Sequence, residues 1–118
     1  MVDRLTATPP NVTLGPLTLV PDGRARNFVI ELRAGRFHGF IVRQGDAVHG
    51  YVDRCPHMGL PLAQELDEYV APGGEYLMCS WHGAFFRIED GYCAGGPCGG
   101  ASLQPWPITV RDGMLVTA

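Results

Sequence analysis

Hydrophobic positions along the chain fall in short runs rich in Val, Ile, Phe and Tyr, separated by Gly and Pro. Within several runs, such as Phe28 to Leu32, apolar residues recur at every second position. This period is typical of β-strands that bury one face. The strands predicted on this basis are Leu17–Val20, Arg26–Leu32, Phe37–Arg43, Ala47–Asp53, Tyr76–Cys79, Ala84–Glu89, Ile108–Arg111 and Met114–Thr117.

Turn-forming residues separate neighbouring runs. Ala34-Gly35 and Gln44-Gly45-Asp46 each stand between two predicted strands. Asp112-Gly113 stands between the last two runs, where such a dipeptide favours a tight hairpin. A chain of many short strands joined by turns is predicted to form an all-β domain.

A helical pattern is confined to Pro61–Tyr69. Pro61 suits the first position of a helix, and Leu62 and Leu66 are four positions apart. We therefore expect at most two helical turns, in an insertion between the strands that precede and follow it.

Length and charge narrow the class of protein. A chain of 118 residues suits one domain with one hydrophobic core. A net charge of −3 argues against nucleic-acid binding, which needs a basic face. No run approaches the ~20 apolar residues of a membrane span, and residues 1–10 lack the apolar segment of a signal peptide. We expect a soluble cytoplasmic protein whose four cysteines are metal ligands or plain thiols.

Two short segments each pair a cysteine with a histidine. They are Cys55-Pro56-His57 and Cys79-Ser80-Trp81-His82, with 21 residues between them. Two Cys with two His indicate either a tetrahedral zinc site or a 2Fe–2S cluster in which two imidazoles replace two thiolates. Zinc fingers usually group Cys with Cys and His with His, so the order found here favours the cluster.

The sequence resembles the Rieske family in these segments. The matching residues are Cys55–Leu62 and Cys79–Phe86, and Gly96-Pro97 resembles the proline loop that covers the cluster in that family. The resemblance implies a single Rieske domain over residues 1–118, built from small antiparallel sheets. Its base would span about 1–50 and 101–118, with a cluster-binding subdomain inserted at about 51–100.

The resemblance also implies the ligands of one 2Fe–2S cluster per chain. Cys55 and Cys79 would hold the buried iron, and His57 and His82 would hold the outer iron and give electrons an exit route. Ser80 stands where the family often has Pro, and the gap between the two segments is a few residues longer than in compact Rieske ferredoxins. Neither departure removes a ligand.

A cluster of this kind implies a one-electron carrier that is not itself an enzyme. The favoured role is a ferredoxin that takes electrons from a flavoprotein reductase and delivers them to a terminal oxygenase. The alternatives are a small Rieske subunit of a larger reductase, such as nitrite reductase, and a structural zinc module. A complete terminal oxygenase is not expected, since 118 residues leave no room for a mononuclear-iron domain.

The residues after His82 predict a low reduction potential. High-potential Rieske proteins carry Ser and Tyr at the positions of Ala84 and Phe86, and a disulfide at the positions of Leu60 and Trp81. Ala and Phe cannot donate hydrogen bonds to the cluster sulfurs, and such bonds raise the potential. We expect a value near the lower end of the Rieske range, roughly −150 mV.

The remaining cysteines and histidines are expected to have structural roles. Cys93 and Cys98 are predicted to be small buried residues, with a local disulfide as the alternative. His38 and His49 fall in predicted strands, with no Cys or His at ligand spacing. Trp81 and Phe85 are expected to help shield the cluster, with an aromatic docking surface as the alternative.

Overall fold

The structure is a computed structural model that describes residues 4–5, 7–54, 69–71, 74–79, 83–96 and 101–118. Within them the chain forms ten strands and one short 3₁₀ helix, Leu17–Leu19. The strands are β1 Arg4–Leu5, β2 Thr13–Pro16, β3 Ala25–Leu32, β4 Gly35–Gln44, β5 Ala47–Val52, β6 Tyr76–Met78, β7 Phe85–Arg87, β8 Cys93–Gly95, β9 Ile108–Arg111 and β10 Met114–Thr117. The predicted helical patch at Pro61–Tyr69 lies, apart from its last residue, outside the described residues.

The strands form three small sheets. Sheet A contains β3, β4 and β5 in antiparallel order, with β1 added to β4 in parallel. Sheet B has the order β2-β10-β9, and sheet C has the order β6-β7-β8; both are antiparallel. The predicted all-β class of small antiparallel sheets is therefore confirmed. No helix within the described residues is long and apolar enough to cross a membrane.

The central strand β4 is buried on both faces. Because successive side chains of a strand point to opposite sides, Phe37 and Ile41 face sheet B, whereas Phe40 and Val42 face sheet C. The first face builds the Trp106 core, whose buried members are Val20, Phe37, Ile41, Val52, Trp106 and Leu115. The second face builds the Tyr69 core, whose buried members are Ala25, Phe40, Val42, Tyr51, Tyr69, Leu77, Cys79, Ala84, Phe86, Ile88, Cys93 and Leu103.

Trp106 fills the space between sheets A and B. Its ring centroid lies 4.7 Å from that of Phe37, and its indole N–H donates to Thr8 Oγ1 at 2.9 Å. A Cβ at Gly39 would lie 2.7 Å from the Trp106 ring and 2.7 Å from the Phe37 ring. The glycine in β4 therefore makes room for the indole.

The strand predictions are confirmed where a run alternates and a turn dipeptide bounds it. The last two strands match their predicted bounds. In the turn between them, Asp112 and Gly113 both have positive φ, 52° and 74°. This backbone suits a two-residue hairpin, because its twist matches that of the strands it joins.

The strand predicted at Leu17–Val20 is wrong. Residues 17–19 form a 3₁₀ helix, closed by a hydrogen bond from Val20 N to Leu17 O at 3.1 Å. Side chains three apart in a 3₁₀ helix lie on one side, so Leu17 and Val20 both pack into the Trp106 core. In a strand they would point to opposite faces.

The predictions missed three short strands, β1, β2 and β8. β1 has two residues and β8 has three. β2 ends at Pro16, which has no N–H to donate. Such segments are too short for a two-residue period to stand out, and they form through pairing with distant strands.

Candidate metal centre

Cys79 is the predicted ligand that falls within the described residues, and it lies directly after β6. It is fully buried and present as a thiol. Its N–H donates to Ala84 O at 2.8 Å, and its carbonyl accepts from Gly83 N at 2.9 Å. Gly83 has a φ of 70°, which suits the end of a tight turn. These hydrogen bonds join the residues on either side of positions 80–82, which lie outside the described residues.

The start of the first Cys–His segment is anchored at Asp53. Asp53 N donates to His38 O at 3.0 Å, which continues the pairing of β5 with β4. The Asp53 side chain is buried and accepts from Tyr69 Oη at 2.9 Å and from Asn27 Nδ2 at 3.2 Å. Cys55 follows two residues later in the sequence.

After the first Cys–His segment, the next described residues, 69–71, lie beside β6. Met78 N donates to Tyr69 O at 2.9 Å, Val70 forms a bridge with Leu77, and Ala71 N donates to Tyr76 O at 2.8 Å. Because Cys79 follows Met78 in sequence, both ligand-bearing segments begin or end in one small region.

The other three predicted ligands, Cys55, His57 and His82, lie outside the described residues. Within the described part of the chain, no three His, Cys, Asp or Glu side chains group as metal ligands. The ligand set stays a prediction. A buried cysteine side chain directly before the part of the second segment that the structure does not describe fits a thiolate ligand of a metal centre.

Gly96 packs on the end of the ligand-bearing turn. Its φ is 91°, and a Cβ built on it would lie 2.7 Å from the Cα of Ala84. The segment leading into the predicted proline loop therefore lies against Ala84, directly before β7. Pro97 itself lies outside the described residues.

Cys93 follows the alternative given from the sequence, a disulfide. It is buried at the start of β8, as expected, but it is disulfide-bonded rather than a plain thiol. Cys98, the nearest cysteine in sequence, lies outside the described residues.

The remaining candidates lie in strands. His38 and His49 are both half-buried, in β4 and β5, and His49 borders a cleft that Glu89 and Asp90 also line. Phe85 is 37% exposed, and its ring meets that of Tyr76 edge-on with centroids 6.2 Å apart. Its shielding role stays a prediction.

A charged turn closes sheet C on the side away from Cys79. Arg87 Nε donates to Asp90 Oδ1 at 3.0 Å, and this contact lowers the pKa of the Asp90 carboxyl. Tyr51 Oη donates to the Ile88 carbonyl in the same turn. Burial raises the pKa of Tyr51, and the carboxylates of Asp90 and Glu89 raise it further. Tyr51 thus ties sheet A to sheet C as a neutral donor.

Sequence reasoning missed the hydrogen-bonded group of Asn27, Asp53 and Tyr69. Asn27 Nδ2 donates to Tyr69 Oη at 2.8 Å and to Gly39 O at 3.3 Å, in addition to Asp53. The one available signal was Asn27 itself, a polar residue in a predicted strand, because polar side chains that become buried need hydrogen-bond partners.

Comparison with known proteins identifies the family. Residues 20–107 match the family model of the Rieske [2Fe-2S] domain. The chain belongs to this family, and the recognition made from the two Cys–His segments is confirmed. No curated protein matches the chain in sequence.

Solved structures similar to this chain share its fold. The ferredoxin of carbazole 1,9a-dioxygenase from Nocardioides aromaticivorans IC177 superposes with a TM-score of 0.71 at 17% identity, over 93% of this chain and 98% of that one. A chain from the complex of reduced oxygenase and oxidized ferredoxin in carbazole 1,9a-dioxygenase gives 0.70 at 22% identity, over 91% of each chain. The terminal oxygenase from Novosphingobium sp. KA1 gives 0.69 at 19% identity, over 92% of this chain and 30% of that one.

Proposed function

We propose that the protein is a one-electron carrier that binds one 2Fe–2S cluster through Cys55, His57, Cys79 and His82. The match of residues 20–107 to the Rieske family carries the most weight, because that span includes both Cys–His segments. When bound, a cluster of this type accepts and releases a single electron, at a potential set by its ligands and surroundings.

The described residues support this ligand set through the ends of the two segments. Tyr69 links them, because its hydroxyl donates to Asp53 and its carbonyl accepts from Met78 N. Short segments that leave from neighbouring points can present their side chains to one centre. Cys79 is fully buried at one of these points, where its sulfur is shielded from water.

The proposed division of the chain follows from the same arrangement. Residues of about 51–100 would form the cluster-binding subdomain, and about 1–50 with 101–118 would form the base. Sheet C falls within the first range, and sheet B falls within the second. The Tyr69 core joins the two parts.

The role we favour is that of a ferredoxin that receives electrons from a flavoprotein reductase and passes them to a terminal oxygenase. Support comes from structural neighbours described as a ferredoxin of carbazole 1,9a-dioxygenase and as a complex of oxygenase and ferredoxin. We also propose a cytoplasmic location. Cell fractionation tests this location. Disulfides are rare in reducing compartments, so counting free thiols in the fractionated protein checks whether the disulfide at Cys93 is compatible with it.

Metal and ligand analysis tests the cluster. Purified protein should contain iron and acid-labile sulfide at about two of each per chain. His57→Ala, His82→Ala and Cys79→Ser should lose the visible absorption, whereas His49→Ala and Cys93→Ser should retain it. Stoichiometric zinc in a colourless protein would contradict the proposal and support the structural zinc module.

Reconstitution tests the electron-transfer role. A flavoprotein NAD(P)H reductase should reduce the chain, and the reduced chain should reoxidise when mixed with a terminal Rieske oxygenase. The control is His57→Ala, which should transfer no electrons. If the chain instead co-purifies with a large reductase subunit and transfers electrons to no oxygenase, it is a small Rieske subunit of a larger reductase.

A further inference from the structure

We infer that Tyr69, held by Asp53 and Asn27, is a positioning residue that keeps the first ligand-bearing segment closed at its base. The inference rests on the proposed function, since it assumes that Cys55 and His57 are cluster ligands. The inference concerns residues outside the two Cys–His segments that are not themselves predicted to bind iron.

The geometry of the group is a closed triangle around one hydroxyl. Tyr69 Oη donates to Asp53 Oδ2 at 2.9 Å and accepts from Asn27 Nδ2 at 2.8 Å, while Asn27 Nδ2 also lies 3.2 Å from Asp53 Oδ2. Asp53 is 5% exposed and Tyr69 is 2% exposed. Hydrogen bonds shielded from water in this way are costly to break.

The position of the group in the sequence gives it a role at the centre. Asp53 precedes Cys55 by two residues, and Tyr69 follows His57 by twelve. The Tyr69–Asp53 hydrogen bond therefore closes a loop that contains both predicted ligands. Asn27 belongs to β3 and also donates to Gly39 O in β4. It therefore holds the hydrogen-bonded group against sheet A.

The Tyr69 ring is also fixed in orientation. It stacks on Phe40 with centroids 4.1 Å apart and an interplanar angle of 9°. The hydroxyl is thus held in line with Asp53 by packing as well as by hydrogen bonds. Through its backbone, Tyr69 also accepts from Met78 N, next to Cys79. One residue therefore sets the distance between the start of the first segment and the start of the second.

Tyr69→Phe tests the inference, with Tyr51→Phe as the matched control. Each substitution removes one hydroxyl from a buried ring that packs beside Phe40. The Tyr51 hydroxyl instead donates to Ile88, in the turn that closes sheet C away from Cys79. The two variants therefore remove similar bonds at different places.

The measurements are made on the cluster-loaded proteins. They are the rate at which visible absorption is lost in excess iron chelator, the EPR spectrum of the reduced state, and the thermal unfolding midpoint. For Tyr69→Phe we expect cluster loss about tenfold faster than in the parent, as befits a broken buried hydrogen bond, together with changed g values. For Tyr51→Phe we expect a lower midpoint, with unchanged g values and cluster loss within about twofold of the parent.

Asn27→Ala provides a second variant, because Asn27 is only part-buried and lies in β3, far from the ligands in sequence. It should change the g values and cluster loss in the same direction as Tyr69→Phe, by a smaller factor. If both variants keep the parent's g values, and lose the cluster only in proportion to their lowered midpoints, the group has a purely structural role and the inference is overturned. A parent protein without a Rieske spectrum would overturn both the proposed function and this inference. If the parent has a Rieske spectrum, the proposed function stands and the variants test the inference alone.

Discussion

The two faces of β4 support very different interiors. On one face, the Trp106 core packs sheet A against sheet B with apolar side chains, and its polar contact is the indole N–H to Thr8. On the other face, the Tyr69 core packs sheet A against sheet C and contains a buried thiol, two tyrosine hydroxyls and the adjoining Asp53.

The difference separates what stabilises the fold from what shapes the site. Apolar burial is non-directional, so the Trp106 core can stabilise the sandwich with little demand on side-chain orientation. Hydrogen bonds are directional and costly when broken, so the Tyr69 core fixes positions near Cys79. Substitutions in the first core should change stability alone, whereas substitutions in the second core at Tyr69 or beside Cys79 should also change the properties of the centre.

Trp106→Ala should have the largest effect on the fold. Removing a buried indole should lower the free energy of unfolding by about 3–5 kcal/mol, measured by urea denaturation. Trp106→Phe keeps part of the volume and should cost clearly less. The EPR spectrum of the folded fraction should match the parent in both variants. A loss below about 1 kcal/mol for the alanine variant would contradict the role given to the Trp106 core.

A double substitution in the Tyr69 core should change the reduction potential. Ala84 and Phe86 are fully buried, so Ala84→Ser with Phe86→Tyr would place two hydroxyl donors near Cys79. If the two donors together stabilise the reduced state by ~2 kcal/mol, protein-film voltammetry should show a rise of about 90 mV for this one-electron couple. Phe85→Tyr, on the exposed face of the same strand, is the control and should leave the potential unmoved. An unchanged potential in the double variant would refute the hydrogen-bond explanation of a low potential.

Much of the fold could be predicted because its strands carry local signals. The alternating runs of β3, β4 and β5 and the turn at Asp112-Gly113 are readable from neighbouring residues alone. The 3₁₀ helix at Leu17–Leu19 was not, because its apolar run fits either conformation and the choice depends on the packing of Val20.

The candidate site divides in the same way. Each Cys–His segment is local, so its ligands can be proposed from neighbouring residues, and they stay a prediction. The hydrogen-bonded group could not, because Asn27 is 26 positions from Asp53 and 42 from Tyr69. Such contacts depend on tertiary folding. The disulfide at Cys93 does not follow from the sequence alone, because pairing depends on tertiary geometry and redox setting.

Alkaline pH should weaken the link between sheets A and C. Burial raises the pKa of Tyr51 above its ordinary value of about 10, so the folded protein holds this proton more tightly than the unfolded chain. The resulting stability is complete below pH ~10 and declines as the pH rises beyond it. Unfolding free energies measured from pH 8 to 11 should fall more steeply for the parent than for Tyr51→Phe. Equal slopes would show that Tyr51 does not contribute.

The smallest effect is expected away from both cores. Arg36 and Glu31 form an ion pair of 2.7 Å across the β3–β4 hairpin, with side chains 50% and 72% exposed. Exposed pairs contribute little, so Glu31→Gln should change the unfolding free energy by less than about 0.5 kcal/mol. A decrease in the unfolding free energy of more than about 1 kcal/mol would contradict the view that the two cores, and not this exposed ion pair, stabilise the fold.

The most direct test of the central claim is pulsed EPR of the reduced protein after labelling its histidines with ¹⁵N. We predict a low average g value and couplings from two histidine nitrogens, both lost in a His57→Ala, His82→Ala double variant and retained in His49→Ala. A spectrum without nitrogen coupling, or no paramagnetic signal from iron-loaded protein under reducing conditions, would contradict the assignment of two imidazoles and two thiolates to one cluster.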